Sequence, residues 1–433
     1  MKNNLRIEIT GLNHQGEGVG RADGVVYFVP FTVPGDVVDI EETERMRRYR
    51  RGRILNVVHP SDDRTEPACL IQENCGGCGL HHMNYPAELS LKTRLVVDSL
   101  ERIGHLSGVK VNRTMGMLNP NNYRNKVTFH IQHDPKMSLG FYQSGSHQVV
   151  PVRDCQIISP EMIEVVNVLE AAMAENPEGL QDLTEVVVRQ SYHTREIMII
   201  FMTNTEIQTA NVKDIASKAM RVIPQITTVA IMAPTGQPWI IEGSGHLNDK
   251  MAGLNFTISP GAFFQTNTQM AEILANKVLE YADLTGHEIV IDGYCGIGTL
   301  ALPLAKMAGK VIGVELNQAA IDDALDNAAA NGLTNTEFVT GNCAEAIPYL
   351  LAHSKDIDLV VLDPPRQGVE KPVLEALVNN RPPRIIYVSC HPGTLARDLQ
   401  QLVQGGYVIT EVQPIDMFPH TPHVECVVLM SRV

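Results

Sequence analysis

Residues 288–305 read EIVIDGYCGIGTLALPLA, and they decide the fold of the second half of the chain. EIVID is a short apolar run of strand length. It gives way to a turn carrying Gly296 and Gly298, after which a helix opens. The glycines let the backbone turn tightly and approach a ligand, and the helix N-terminus offers free N–H groups. Downstream, VIGVE (311–315), IDLVVLD (357–363) and RIIYVS (384–389) repeat the strand pattern with helical stretches between them. Upstream, TNTQMAEILANKVLEYAD (266–283) sets Met270, Ile273, Leu274, Val278 and Tyr281 on one helix face. Short apolar strands alternating with helices predict a mostly parallel, doubly wound α/β sheet over 256–433. Glu315 closes the second strand, where an acid would hold a ribose hydroxyl pair. GIGTLA also partly fits the G-x-G-x-x-G/A dinucleotide fingerprint, so a nicotinamide enzyme stands as an alternative on these residues alone.

Three further motifs belong to the same region. LDPPRQG (362–368) puts Asp363 at a strand end, on the edge where open α/β sheets bind ligands. VSCHPGTLARD (388–398) puts Cys390 at another strand end beside a helix N-terminus, an environment expected to lower a thiol pKa and expose the sulfur as a nucleophile. MFPHTPHVECVVLM (417–430) sets His420, His423 and Glu425 before a terminal apolar strand, and Glu425 there could take a proton. Cys295, Cys343 and Cys426 lack such a setting and are assigned to packing.

Residues 1–60 read as all-β, with alternating Leu5, Ile7 and Ile9, then Val25, Tyr27 and Val29, separated by Gly-rich turns. A small barrel of the OB kind is expected. RMRRYRRGR (45–53) gathers Arg45, Arg47, Arg48, Arg50, Arg51 and Arg53 around Tyr49, a pattern suited either to a phosphate backbone or to a solvated edge strand. Residues 61–255 mix strands and helices, with a helix expected at 165–176. They carry Cys69, Cys75 and Cys78 as C-x5-C-G-G-C, which Cys155 could complete to four thiolates. Four thiolates suit a [4Fe-4S] cluster or a structural zinc. Only one short knuckle is present, which favours the cluster.

With 433 residues and 44% apolar composition, the chain is long enough for two or three domains, and disorder, collagen and coiled coil are excluded. No apolar run approaches the roughly 18 to 20 residues of a membrane span, and the N-terminus lacks a leader pattern; a cytoplasmic protein is expected, with no obligate protein partner and a monomeric state. The net charge of −14 argues against bulk electrostatic binding to nucleic acid, so such a partner would be held locally.

Together these motifs resemble the bacterial RNA (uracil-5-)-methyltransferases, in particular the 23S rRNA enzymes with an iron-sulfur cluster. The resemblance covers nearly the whole chain: a TRAM-like N-terminal region, the cysteine array, DGYCGIGT, LDPPRQG, SCHPGTLARD and FPHTPHVE. It implies a Rossmann-like class I methyltransferase domain at 256–433, a TRAM-like RNA-binding barrel at 1–60 and a central α+β domain at 61–255, with part of 86–120 packed on the catalytic domain. It further implies that Gln265, Tyr294, Glu315, Asn342 and Asp363 line an S-adenosylmethionine site. Cys390 matches the nucleophile, Glu425 the base, and Cys69, Cys75, Cys78 and Cys155 the [4Fe-4S] ligands. Thr299 departs from relatives with Asn there and is left out of the donor site. The implied partner is 23S rRNA, its target base flipped out or single-stranded, with Phe263 of GAFFQTN (261–267) as a stacking platform.

Overall fold

The computed structural model describes residues 4–133, 137–205, 209–233, 236–354 and 356–432. The N-terminal strands β1 (Asn4–Leu12), β2 (Gly18–Ala22), β3 (Val25–Val29), β4 (Val37–Arg45) and β5 (Tyr49–His59) close into a barrel in the order β1-β2-β3-β5-β4. Period-2 alternation turns Ile7, Ile9, Tyr27, Val29, Val38 and Ile40 inward, where they form the barrel core.

Helix α1 (Tyr85–Arg102) follows, its N-terminus capped by Asn84, whose side chain accepts the Ala87 N–H at 2.9 Å. The central sheet comprises β6 (Lys126–Gln132), β7 (Ser138–Tyr142), β8 (Val149–Pro151), β9 (Leu183–Gln190), β10 (Ile197–Thr203), β11 (Ile226–Met232) and β12 (Trp239–Gly243), in the order β12-β11-β10-β9-β6-β7-β8. Helices α2 (Pro160–Glu175) and α3 (Thr209–Val222) pack together against it. α2 begins earlier than the apolar run predicts because Ser159 caps it and Pro160 occupies its first turn. A hairpin of β13 (Leu247–Met251) and β14 (Leu254–Ile258) leads into the C-terminal half.

That half contains, in chain order, α4 (Thr268–Ala282), β15 (Ile289–Gly293), α5 (Ala301–Ala305), β16 (Lys310–Glu315), α6 (Gln318–Ala330), β17 (Thr336–Thr340), α7 (Cys343–His353), β18 (Ile357–Leu362), α8 (Lys371–Asn380), β19 (Arg384–Ser389), α9 (Pro392–Gln404), β20 (Tyr407–Ile415) and β21 (Glu425–Arg432). Its strands order as β17-β16-β15-β18-β19-β21-β20, parallel throughout β17 to β19, with β21 antiparallel to both its neighbours. The chain runs outward from β15 through β16 to β17, then returns to the other side of β15 with β18. The crevice between β15 and β18 is therefore the switch point, where ligands of such sheets bind. The fold is thus a doubly wound, mostly parallel α/β sheet in the C-terminal half, as the sequence predicts, preceded by a closed five-stranded barrel and a seven-stranded central sheet. Among the described residues no helix is long and apolar enough to cross a membrane.

A buried ion network joins the two ends of the chain. Lys92, wholly buried on α1, donates to Glu88 Oε1 and to Asp416 Oδ1, each at 2.6 Å, and to the Phe418 carbonyl at 3.1 Å. Tyr85 Oη donates to Asp416 Oδ2 at 2.8 Å, and the His420 N–H donates to Glu88 Oε1 at 2.8 Å. The His420 carbonyl in turn accepts the N–H groups of Gly79 and Leu80 at 3.1 and 3.0 Å, and its ring stacks on His81 at 4.3 Å. The segment 416–420 is thus held from both sides. Removing Lys92 strands two buried carboxylates, so Lys92→Met should destabilise the protein by about 3–5 kcal/mol in urea unfolding, whereas a loss below about 1 kcal/mol would deny the network its structural role.

Candidate active site

Each motif residue reaches the cleft by strand register. Asp363 follows the last residue of β18, and its N–H donates to the Gly293 carbonyl at 3.3 Å, tying it to the glycine turn. Cys390 follows β19. In the β19–β21 ladder Ser389 is paired with Cys426, so the next step of the antiparallel register sets Glu425 opposite Cys390. The LDPPRQG loop is fastened to α9: Thr394 Oγ1 donates to the Arg366 carbonyl at 3.2 Å, Arg397 Nη2 to the Gln367 carbonyl at 2.8 Å, and the Val369 N–H to Asp398 Oδ2 at 3.0 Å. Gly368 has φ +84°, and a Cβ there would lie 2.4 Å from Asp398 Oδ2, so only glycine lets the loop close. Arg366 Nη2 lies 3.3 Å from both ring nitrogens of His423.

Electrostatics in the cleft is dominated by burial. Glu425 is 7% exposed; burial, reinforced by the Asp363 charge, pushes its carboxyl up to about 8, with Arg366 pulling the other way. Burial alone raises Asp363 to about 6. The Cys390 thiol is pushed up to about 11 by burial and then by Glu425 and Asp363, again opposed by Arg366. This reverses the lowered thiol pKa expected from the strand end and helix N-terminus. That expectation counted the helix and omitted two carboxylates and the low-dielectric surroundings.

The glycine turn forms a cradle beside these groups. Gly296 and Gly298 take φ of +55° and +90°, and Tyr294 is held at +64°. Glu315 accepts the N–H of Gly296 at 3.2 Å and that of Asn317 at 2.9 Å, bracing the turn against the end of β16. Asn342 caps α7 by accepting the Ala344 N–H at 2.9 Å, and Tyr294 Oη bonds to Glu370. The backbone carbonyl of Gln265 accepts from Asn125 Nδ2 at 2.9 Å. The helix opened by the turn, α5, has only five residues, shorter than the sequence pattern predicts. Asp292, at the carboxyl end of β15, is fully buried without a side-chain partner; burial and the Asp363 charge push its carboxyl well up, and the Ala301 N–H is the backbone group that opposes this. A buried acid beside a glycine cradle suits a ligand carrying positive charge. Asp292 and Arg366 stand inside quoted motifs, yet the sequence reading missed their roles, because burial and lateral contacts decide them.

Two other sequence-derived groups can be placed. Cys69, Cys75, Cys78 and Cys155 are unpaired thiols, each partly buried. Burial comes first in raising Cys75, Cys78 and Cys155, but each also feels other members of the four, with Cys155 at about 11. The Gly77 N–H donates to Cys75 Sγ at 3.4 Å. Among the described residues, no three His, Cys, Asp or Glu side chains close into a metal-holding group. Of the six arginines in 45–53, four are engaged by acids of the barrel: Arg45 and Arg50 by Glu42, Arg51 by Glu17 and Glu44, and Arg53 by Glu41. Arg47 and Arg48, exposed at the hairpin tip, are the members of the run left for a ligand.

Residues 114–433 match the family described as tRNA (Uracil-5-)-methyltransferase, and residues 3–55 match the TRAM domain. The chain belongs to the RNA uracil-5-methyltransferase family. An uncharacterized RNA methyltransferase of Caldanaerobacter subterraneus subsp. tengcongensis is 39% identical, covering 99% of this chain and 98% of that one. Another, from Halalkalibacterium halodurans, is 37% identical over 99% of this chain and 96% of its own. Among solved structures, the Pyrococcus abyssi tRNA (uracil-54, C5)-methyltransferase in complex with S-adenosyl-L-homocysteine superimposes with a TM-score of 0.77 at 28% identity, covering 98% of this chain and 99% of that one. For this RNA methyltransferase, the raised Cys390 thiol predicts that alkylation by iodoacetamide, followed by peptide mass spectrometry without RNA, has its midpoint above the free-cysteine value of about 8.5. Arg366→Ala should move it further alkaline. A wild-type midpoint near 7 would contradict this electrostatic picture.

Proposed function

We propose that this chain methylates carbon 5 of one or more uridines in 23S rRNA, with S-adenosylmethionine as methyl donor. The observation that supports the chemistry is the Ser389–Cys426 pair of the β19–β21 ladder, one step short of Cys390 and Glu425, with the Glu425 and Asp363 charges both acting on the Cys390 thiol. The donor site we assign to Gln265, Tyr294, Glu315, Asn342 and Asp363. The glycine cradle and the buried Asp292 carboxyl, which has no side-chain partner, fit a cationic donor, and the Pyrococcus enzyme, similar over its full length, is in complex with S-adenosyl-L-homocysteine. When bound, S-adenosylmethionine supplies an electrophilic methyl group on a sulfonium.

Carbon 5 of uracil is too weak a nucleophile to take that methyl unaided. Cys390 loses its proton to water and its sulfur bonds to carbon 6; the electron pair of the 5,6 double bond passes into the enolate, making carbon 5 nucleophilic. After carbon 5 has been methylated, Glu425 takes its remaining proton. The C–H electrons restore the double bond, and the sulfur–carbon 6 bond breaks. The leaving thiolate recovers its proton from Glu425, a downhill transfer because the carboxyl titrates at about 8 and the thiol at about 11. One proton is released to water per turnover, as the net reaction requires. With Asp363 at about 6 and Glu425 at about 8, the negative charge at neutral pH sits mainly on Asp363, so Glu425 acts as the base from its ionised fraction, which grows as the pH rises toward 8.

Cys69, Cys75, Cys78 and Cys155 are the residues that would hold a [4Fe-4S] cluster. The support is the C-x5-C-G-G-C spacing, the unpaired state of all four thiols and the Gly77 N–H that donates to Cys75 Sγ. Phe263, 58% exposed beside the buried Phe264, is suited to stack on the flipped base. A tRNA uridine is the second reading. The Pyrococcus enzyme, titled for tRNA, shares this chain's architecture across 98% of its length, so a barrel of this kind accompanies tRNA substrates as well.

Cys390→Ala should abolish methyl transfer while calorimetry finds donor binding unchanged; lost binding would remove Cys390 from the nucleophile's role. Glu425→Gln should accumulate a covalent RNA adduct that survives denaturing electrophoresis, and normal turnover by this variant would exclude Glu425 as the base. Anaerobically purified protein should carry about four irons per chain, and stoichiometric zinc without iron would overturn the cluster.

A further inference from the structure

Where the chain enters β6, three cations meet without a carboxylate of their own. Lys126 lies directly opposite Arg189 in the β6–β9 ladder, and Arg124 Nε donates to the Lys126 carbonyl at 3.1 Å. The Lys126 ammonium has no hydrogen bond or ion pair among the described residues. Arg189 is 4% exposed, and its Nη2 has no hydrogen-bond partner. The acid that acts on Arg189, Asp249, is committed elsewhere: its carboxylate accepts the N–H groups of Tyr192 at 3.2 Å, His193 at 3.1 Å and Lys250 at 2.8 Å. Burial, with repulsion from Arg189 and Arg124, pulls Lys126 down to about 8. Buried like charges without counterions are costly, and an arriving anion would relieve that cost.

The location of the cations indicates which anion. Asn125, between Arg124 and Lys126, donates its N–H to the Thr266 carbonyl at 2.8 Å and its Nδ2 to the Gln265 carbonyl at 2.9 Å, so the cations are bolted to the GAFFQTN loop that bears the exposed Phe263. On its other side, Arg124 acts on Cys78 and His423, between the cysteine group and the cleft. We propose that Lys126, Arg189 and Arg124 form a receptor for an RNA phosphate, the one flanking the uridine that enters the Cys390 cleft. Arginine supplies a planar fork and lysine a point charge, the combination that suits a phosphodiester. Such a contact fixes the register of the RNA without reading its sequence, and it supplies local positive charge that a chain of net charge −14 lacks in bulk.

The inference rests on the RNA-methylation reading, and the test separates the two. Full-length wild type, Lys126→Gln and Lys126→Arg are titrated with unmodified 23S rRNA and tRNA transcripts over a range of salt, with S-adenosylhomocysteine calorimetry as the control for an intact fold. Lys126→Gln should weaken binding of whichever transcript the wild type binds by about tenfold at low salt. It should also flatten the slope of log affinity against log salt by about 0.7 to 0.9, and Lys126→Arg should restore both. In turnover, KM should rise more than kcat falls. An unchanged affinity and slope for Lys126→Gln, or weaker binding with an unchanged slope, overturns the phosphate receptor and leaves the methylation reading standing. Failure of the wild type to bind either transcript overturns both.

Discussion

Lys92 is an ammonium with no access to water, and its position is tolerable only because two carboxylates and a carbonyl surround it. Taking each of these ions out of water costs several kcal/mol, so the arrangement persists only with all partners in place. Those partners come from opposite ends of the chain, Glu88 from α1 and Asp416 from the segment between β20 and β21. The same Glu88 oxygen that takes the Lys92 proton also takes the His420 N–H, and the His420 carbonyl takes the N–H groups following the cysteine array. One buried charge therefore sets the approach to β21, and with it the place of Glu425.

From that constraint follows the character of the cleft. Glu425 is buried because β21 lies inside the sheet, between β19 and β20, and it faces Cys390 because the ladder is antiparallel. Burial raises the thiol and both carboxyls, the Asp363 charge pushes Glu425 and Cys390 further up, and Arg366 is the cation that opposes this at both. Under the proposed mechanism a nucleophile that is a good base at the end of the cycle is useful, since its affinity for the proton drives Glu425 back to readiness. Of the arginine run, Arg47 and Arg48 at the barrel tip are left for a ligand, because the other four are engaged by neighbouring glutamates.

Much of the catalytic half was legible because its strands are apolar runs broken by distinctive turns. EIVID, VIGVE, IDLVVLD and RIIYVS lie where β15, β16, β18 and β19 are found, to within a residue at either end. β17, TEFVT, escaped notice because polar and charged residues hide its period, while the arginine run, left open between a phosphate-binding segment and an edge strand, spans the end of β4, the turn and the start of β5. Asp363 and Cys390 could be placed at strand ends from local sequence. That Glu425 faces Cys390 could not, because it depends on the register between strands that are not neighbours in sequence. Lys92, Asp292, Lys126 and Arg189 look like ordinary polar residues in the sequence; only tertiary packing takes them wholly or partly out of water. The thiol pKa went the wrong way for the same reason, since a helix end is visible in sequence and a low dielectric is not.

The central claim is methyl transfer to carbon 5 of uracil in RNA through a Cys390 adduct. It is tested most directly by nucleoside mass mapping of unmodified 23S rRNA and tRNA after incubation with the protein and labelled S-adenosylmethionine. The account predicts label at carbon 5 of one or more 23S uridines, and none with Cys390→Ala. Label at carbon 5 of a tRNA uridine alone would keep the chemistry and contradict the 23S substrate. No 5-methyluridine in either RNA, from protein that binds the donor normally, would contradict the account as a whole.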